Sequence, residues 1–426
     1  MTPLAALVLF AIVAAAQANP SATNAVAVKA DTLRGKMLLG YQGWFGCPND
    51  GSPLNRWFHW FRRGTPVAAN LTVDMWPDTS ELEADELFPT QLTGADGRPA
   101  MLYSAYKAKT VARHFKWMQE AGIDGVALQR FVSQTKSPVH AAFCDQVARN
   151  VRDSAERHGR IFAIEYDTAA GDAEPLMRDW QRVVDELRVT ESPRYLRHNG
   201  KPVLFVWGLG FKDRQGTAAQ AQALVDWLKR GPVRYQVTIV GGVPSGWRSG
   251  NGDAHPGEDW ARVFRSFDVI SPWTVGRYRD NSGADNYRQK WIEPDMAEAR
   301  RVGAEYMPVV FPGFSWHNLH NGALNQIPRQ GGRFYWRQVS NAVAAGATMM
   351  KTAMFDEVDE GTAMFKVVSS TRQLPQQGSL VALDADGLEL PSDWYLRLAG
   401  QASRLLRGEM QPSAELPLQA SPSRRP

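Results

Sequence analysis

Short runs of β-branched and aromatic residues, each followed by a stretch with apolar positions three and four apart, recur along the whole chain. Eight runs read as strands: Met37 to Trp44, Gly125 to Gln129, Arg160 to Asp167, Pro202 to Trp207, Gln236 to Gly241, Asp268 to Trp273, Tyr306 to Phe311 and Met349 to Asp356. Helical spacing between them predicts Lys107 to Ala121, where Val111, Phe115 and Met118 recur, and Pro138 to His158. Further helices are expected over Glu174 to Val189, Ala218 to Arg230, Asp285 to Arg301 and Arg333 to Ala345, with Ser392 to Leu406 closing the ring. Such alternation defines an α/β chain with a parallel sheet, and eight units predict a (β/α)8 TIM barrel with long βα loops over residues 30–407. A doubly wound open sheet is the rival, but no G-x-G-x-x-G follows the first strand. Met101 to Ala105 is a ninth short run, inside an insertion from Phe45 to Tyr106 that is too long for a structureless loop and marks a lid or subsite element. Residues 408–426, rich in Pro and Ser, are expected to be a disordered tail.

Composition narrows the function. The 426 residues, 44% hydrophobic and 22% charged, exclude a disordered chain, and two cysteines exclude a disulfide framework. Cys47 and Cys144 leave open either one bridge or two free thiols. With 48 basic against 44 acidic residues and no Lys/Arg block, the net charge of +4 gives no nucleic-acid footprint. Leu4 to Ala16 is apolar but too short to span a bilayer, and it ends in Ala16-Gln17-Ala18, a small-x-small cleavage pattern. Met1 to Ala18 therefore reads as a secretory signal peptide, with a secreted or periplasmic mature chain that has no membrane span.

In a barrel of this kind, catalytic residues sit at the carboxyl ends of the strands. Here those ends are polar and aromatic, and Gln42 and Trp44, Gln129 and Arg130, Glu165 and Asp167, Trp207, Trp247, Trp273, Trp316 and His317, with Asp356 at the head of the run Asp356-Glu357-Val358-Asp359-Glu360-Gly361, are the candidate substrate-binding residues. Of 15 Trp, eight (44, 57, 60, 76, 207, 247, 273 and 316) are expected on this one face. Indole faces beside polar groups suit sugar rings, although core packing explains any single Trp equally well. Four carboxyls within five positions repel one another, so at least one should hold its proton more tightly, as a general acid must. A solvated acidic loop or a divalent-cation site are the other readings of that run. Strand alternation puts Glu165 and Asp167 on one side and Tyr166 on the other. Arg130, Arg248 and Arg277 are expected either to pair with these carboxylates or to meet an anionic sugar. His317-x-x-His320 is a weak metal motif.

On Gly40-Tyr41-Gln42-Gly43-Trp44-Phe45, Ile164-Glu165-Tyr166-Asp167 and Phe355-Asp356-Glu357-Val358-Asp359-Glu360-Gly361-Thr362, the chain resembles the clan of glycoside hydrolase families 99 and 71. The last segment is similar to the Asn-Glu-x-x-Glu-Gly-Thr segment of family 99. The resemblance implies a retaining hydrolase of an α-linked glycan or polysaccharide that needs neither metal nor cofactor. By it, Glu357 is the base toward the substrate 2-hydroxyl, Glu360 the acid/base and Glu165 a substrate-binding carboxylate. Val358-Asp359 replaces the family's Trp-His, Asp356 its Asn, and Tyr166-Asp167 its Pro-Tyr. A non-catalytic carbohydrate-binding barrel is the alternative.

Overall fold

The computed structural model describes residues 27–422, so the expected leader lies outside the described residues. The barrel strands are β1 (Lys36–Tyr41), β2 (Gly125–Phe131), β3 (Ile161–Asp167), β4 (Lys201–Trp207), β5 (Thr238–Val243), β6 (Val269–Pro272), β7 in two pieces (Glu305–Tyr306 and Val309–Val310) and β8 (Met349–Thr352). The sheet is parallel and runs from the first piece of β7 through β6, β5, β4, β3, β2, β1 and β8 to the second piece of β7. Its two ends are thus one interrupted strand, and the sheet closes on itself. Met307 donates its amide to Ile270 on the β6 side (2.9 Å), and Pro308 accepts from the Lys351 amide on the β8 side (3.0 Å). The interruption falls where Pro308 has no N–H to give to the ladder.

The outer helices are α1 (Ala108–Ala121), α2 (Pro138–His158), α3 (Ala173–Asp185), α4 (Ala218–Arg230), α5 (Glu258–Phe264), α6 (Glu293–Arg301), α7 (Arg333–Ala344) and α8 (Trp394–Leu406). In α1 the periodic residues Val111, Phe115 and Met118 all face the sheet and are buried. Helix α5 has only seven residues, too few to show periodicity in the sequence. The single helix expected from Asp285 is instead Asn281–Tyr287, a π turn Arg288–Ile292 and then α6, where Pro294 supplies no N–H for the regular ladder.

The strands are apolar on both faces, as a sheet enclosed by helices requires. Leu39, Ile164, Leu204 and Ile239 are wholly buried, and Ile164→Ala should cost about 2–5 kcal/mol through lost burial and the cavity left behind. The insertion after β1 forms a hairpin, Leu87–Thr93 with Pro99–Tyr103, and a strap whose Asp74 and Met75 amides both donate to the Val358 carbonyl (2.9 and 3.1 Å). Residues after 408 are not a free tail up to 422. Ser413 accepts from Trp336 and Ser340 of α7, Leu416 and Leu418 pack on the core, and Ser421–Pro422 pairs with Leu388–Glu389. Apolar residues among the Pro and Ser positions draw that segment onto the barrel. No helix among the described residues is long and apolar enough to cross a membrane.

Candidate active site

The pleat of β2 and β3 sorts their polar residues between two environments. Gln129 and Glu165 are register partners on the inner face, where Gln129 hydrogen-bonds to Glu165 and both Glu165 oxygens accept from the Lys351 ammonium of β8. Asp167, one pleat further up, is held by Arg214 from the loop after β4 (2.6 and 3.2 Å). Arg130 and Tyr166 point the other way. Arg130 is fully buried among the helices, bonded to Asp145 (2.8 Å) and to Asp179, which also accepts from Tyr166 (2.6 Å). The expectation that Arg130 meets substrate is therefore corrected: alternation turns it outward from the barrel interior. Arg248 and Arg277 likewise serve Asp295 and Asp253.

The acidic loop after β8 lies over this inner face. Its backbone leaves the regular ladder at Thr352 but stays tied to the barrel, with Ala353 donating to Val310 (2.9 Å) and Phe355 to Gly40 (2.6 Å). Asp356 is wholly buried and accepts the amides of Gln42 (2.7 Å) and Gly43 (2.9 Å). Gly43 has φ +59, and a Cβ there would lie 2.9 Å from Val147, so this turn requires glycine. Asp356 is thus a clamp between the ends of β1 and β8 rather than the expected substrate ligand. Glu357 accepts from the Gln42 side-chain amide and from Thr362 (2.6 Å). Gly361, at φ +66 and against Ser315, turns the chain so that Ser315 donates its amide to the Glu360 carbonyl (2.9 Å). The Trp316 side chain hydrogen-bonds to the Glu360 carboxyl.

Burial in this crowd raises every carboxyl of the loop. It pushes Asp356 up to about 7 against its two amide donors. Asp359 and Glu360 go well above the usual carboxylate range, through burial first and then the neighbouring Glu357 charge. Glu357 is raised by burial too, but Thr362, Gln42 and Lys351 all oppose the rise. The rise is opposed by three groups at Glu357 and by the Trp316 indole alone at Glu360, so the two members of the pair are unequally supported, an asymmetry that general acid and base chemistry can use.

The aromatic wall is smaller than the sequence implied. Trp57, Trp60, Trp76 and Trp247 are buried in packing, Trp247 donating to Asp295 (3.0 Å), so Trp247 is not a substrate platform. Trp44, Trp207 and Trp273 are half-buried, and Trp316 is exposed. Trp207 and Trp273 meet edge to face at 5.5 Å, with the Arg214 guanidinium 4.8 Å from the Trp207 ring. Trp44 stacks on His59 of the insertion at 3.8 Å, and the Trp44, His59 and Trp207 ring N–H or N groups have no protein partner. Burial, then the neighbouring His140, push His59 down to about 3, so it is a neutral imidazole.

The His317 ring is committed to the Gly322 carbonyl (2.9 Å), and its amide donates to Asp74 of the strap (2.7 Å). Among the described residues no group of three or more His, Cys, Asp or Glu side chains is placed to hold a metal ion. Cys47 and Cys144 are free, their thiols on Tyr103 and Gln134. A cavity of about 620 Å³ lies between the hairpin of the insertion and residues 368–375 and does not touch Glu357. Sequence reasoning missed Lys351, Arg214, His59 and Asp74, and quoted Thr362 in the segment after β8 without giving it a role. Only Lys351 carried a signal, being a lone charge inside the apolar run Met349 to Phe355.

The fold and this cluster define a (β/α)8 barrel with paired carboxyls above its strand ends. No protein-family model and no curated protein matches the sequence. Among solved structures, the chain is similar to the family 99 endo-α-mannosidase of Bacteroides thetaiotaomicron, at 15% identity and a TM-score of 0.63 over 88% of this chain and 99% of that one. The same enzyme in complex with bis-tris-propane aligns at a TM-score of 0.62, with 15% identity over 89% and 99% of the two chains. A protein described as glycoside hydrolase-like aligns at 0.52, with 14% identity over 82% and 99%. At these identities the likeness is one of fold.

Proposed function

We propose that the protein is a secreted glycoside hydrolase that cleaves an α-linked glycan or polysaccharide with retention, with Glu357 and Glu360 as its catalytic pair. The observation that carries this reading is the unequal support of two neighbouring carboxyls at the barrel mouth, Glu357 buried and Glu360 half-buried. Glu357 is held by two donors, whereas Glu360 has one indole donor and two repelling neighbours. In the first step Glu357 takes the proton of the substrate 2-hydroxyl, O2 closes on C1, and the departing oxygen takes the Glu360 proton as its bond to C1 breaks. Water then gives a proton to Glu360 and attacks C1 as the C1–O2 bond breaks, and O2 takes back the proton from Glu357 to restore the hydroxyl. Retention follows without a protein nucleophile, as the resemblance to family 99 implies. Trp44, Trp207, Trp273 and Trp316 supply stacking faces, and Gln42 fixes Glu357 toward the sugar.

The test is hydrolysis of α-mannan, α-glucan, arabinan and xylan oligosaccharides by the wild type and by Glu360→Gln. Cleavage of one glycan that is lost in Glu360→Gln, and absence of cleavage for a 2-O-methyl analogue of it, are expected. Undiminished turnover by Glu360→Gln overturns the assignment. Secretion is tested by the N-terminus of the exported product, expected after Ala18.

A further inference from the structure

The chemistry proposed above gives no role to the buried lysine on the inner face of the barrel. Lys351 lies mid-strand in β8 between Met350 and Thr352, 2% exposed, and its ammonium crosses the barrel to both oxygens of Glu165 on β3. The rings of Phe205 and Trp273 lie 5.7 and 5.6 Å from its nitrogen. A buried ion pair stabilises a fold weakly against apolar residues of the same size, so barrel packing alone does not call for a lysine here. Its Cε lies 3.6 Å from where a Cβ on Gly40 would stand, and two residues further along the same face Gln42 donates to Glu357, so the ammonium sits one pleat below a third group. Glu357 has its own oxygens on two uncharged donors, Gln42 and Thr362, and the charges facing it come from Lys351 of β8, Glu165 of β3, and Asp356, Asp359 and Glu360 of its own loop, with Asp74 of the strap behind Asp359. Lys351 alone of these is positive.

We propose that Lys351, held across the barrel by Glu165, is a positioning residue that places a fixed positive charge beneath Glu357 and so supports Glu357 in its role as the base. The inference rests on the reading of Glu357 as the base. The two members of the ion pair act on Glu357 with opposite sign, Lys351 favouring its carboxylate and Glu165 opposing it. A purely structural strut does not have this signature, because removing either half of a strut loosens the same site in the same way.

The experiment is a pH titration of the side-chain carboxyl carbons in protein labelled with ¹³C-glutamate, the Glu357 signal being identified by its loss in Glu357→Gln. Lys351→Met is expected to raise the Glu357 midpoint by about one unit, and Glu165→Gln to lower it by a comparable amount, with the double variant between them. Lys351→Arg, which keeps the charge, should stay close to wild type. Where a cleaved glycan is in hand, the acid limb of kcat/KM should move in the same two directions. Shifts of the same sign in the two single variants overturn the proposal, as does an unmoved midpoint in folded Lys351→Met. Should Lys351→Met fail to fold, an unmoved or raised midpoint in Glu165→Gln overturns it as well. If the midpoints move as expected while the wild type cleaves no glycan, the hydrolase reading fails and the control of Glu357 by Lys351 stands.

Discussion

Strands β2 and β3 carry buried charge on both faces, and the two faces are balanced differently. On the outer face Arg130 and Arg182 share Asp145 and Asp179, with Tyr166 as a further donor. Cations and carboxylates match there, and Arg130, Tyr166 and Arg182 hold Asp179 below the usual carboxylate range despite its burial. On the inner face Lys351 answers Glu165, while Asp356, Glu357, Asp359 and Glu360 crowd nearby with amide, hydroxyl and indole donors instead of cations. Asp356, Asp359 and Glu360 hold their protons tightly, and one oxygen of the buried Asp359 has no hydrogen-bond partner among the described residues. A compensated cluster holds helices to strands; an uncompensated one stores protons at the place where a substrate would need them. Polar groups left unsatisfied in this way cost stability and are tolerated where they serve chemistry.

The largest effect should come from the inner face. Glu360→Gln is expected to lower kcat by about 10²–10⁴-fold on any glycan the protein cleaves, with a melting temperature no lower than wild type, because a repelling carboxyl has gone. Equal loss of stability and activity would erase the contrast with the outer face. There, Arg130→Met should lower stability to denaturant by about 3–5 kcal/mol, since Asp179 and Asp145 lose a buried partner, while the pH profile of activity in the protein that remains folded is unchanged.

The two clusters should also give opposite pH slopes. Asp356 binds its proton more tightly folded than unfolded, so its contribution to stability is present below about 4 and is lost as pH rises toward about 7. Asp179 is depressed, so its contribution is present above the unfolded value and lost as pH falls through its lowered folded one. Thermal melts from pH 3 to 8 should therefore fall away on both sides of an acidic optimum, and Asp356→Asn should flatten the alkaline side alone. The smallest effect is expected of Trp316→Ala, which removes an exposed platform and a donor to Glu360. KM should rise about fivefold, consistent with roughly 1 kcal/mol of aromatic contact, and the alkaline limb of kcat should move upward. An unchanged KM would show that no sugar stacks there.

Much of the barrel was legible because strand and helix periods are local properties. Pro138 to His158 and Ala218 to Arg230 were readable residue for residue, since each helix repeats its apolar stripe over several turns. The two-piece β7 and the short α5 were not, because neither is long enough to display a period. The carboxyl run after β8 was legible as a candidate site, and alternation placed Glu165 and Asp167 together on the inner face. The same alternation, applied one residue earlier in β2, would have turned Arg130 away.

What the chain determined by itself is the order of elements, the barrel they form and the carboxyls at its mouth, because side-chain spacing along one strand or helix needs no distant partner. Which charges are answered, and by what, depended on tertiary structure. Lys351 and Glu165 are 186 positions apart and Gln42 and Glu357 are 315 apart, and closure of the sheet through β7 brings β8 beside β1 and within reach of β3. That closure makes Asp356 a clamp, leaves Glu360 among like charges and buries half of the tryptophans expected on the open face, since burial and field strength are properties of the assembled barrel alone.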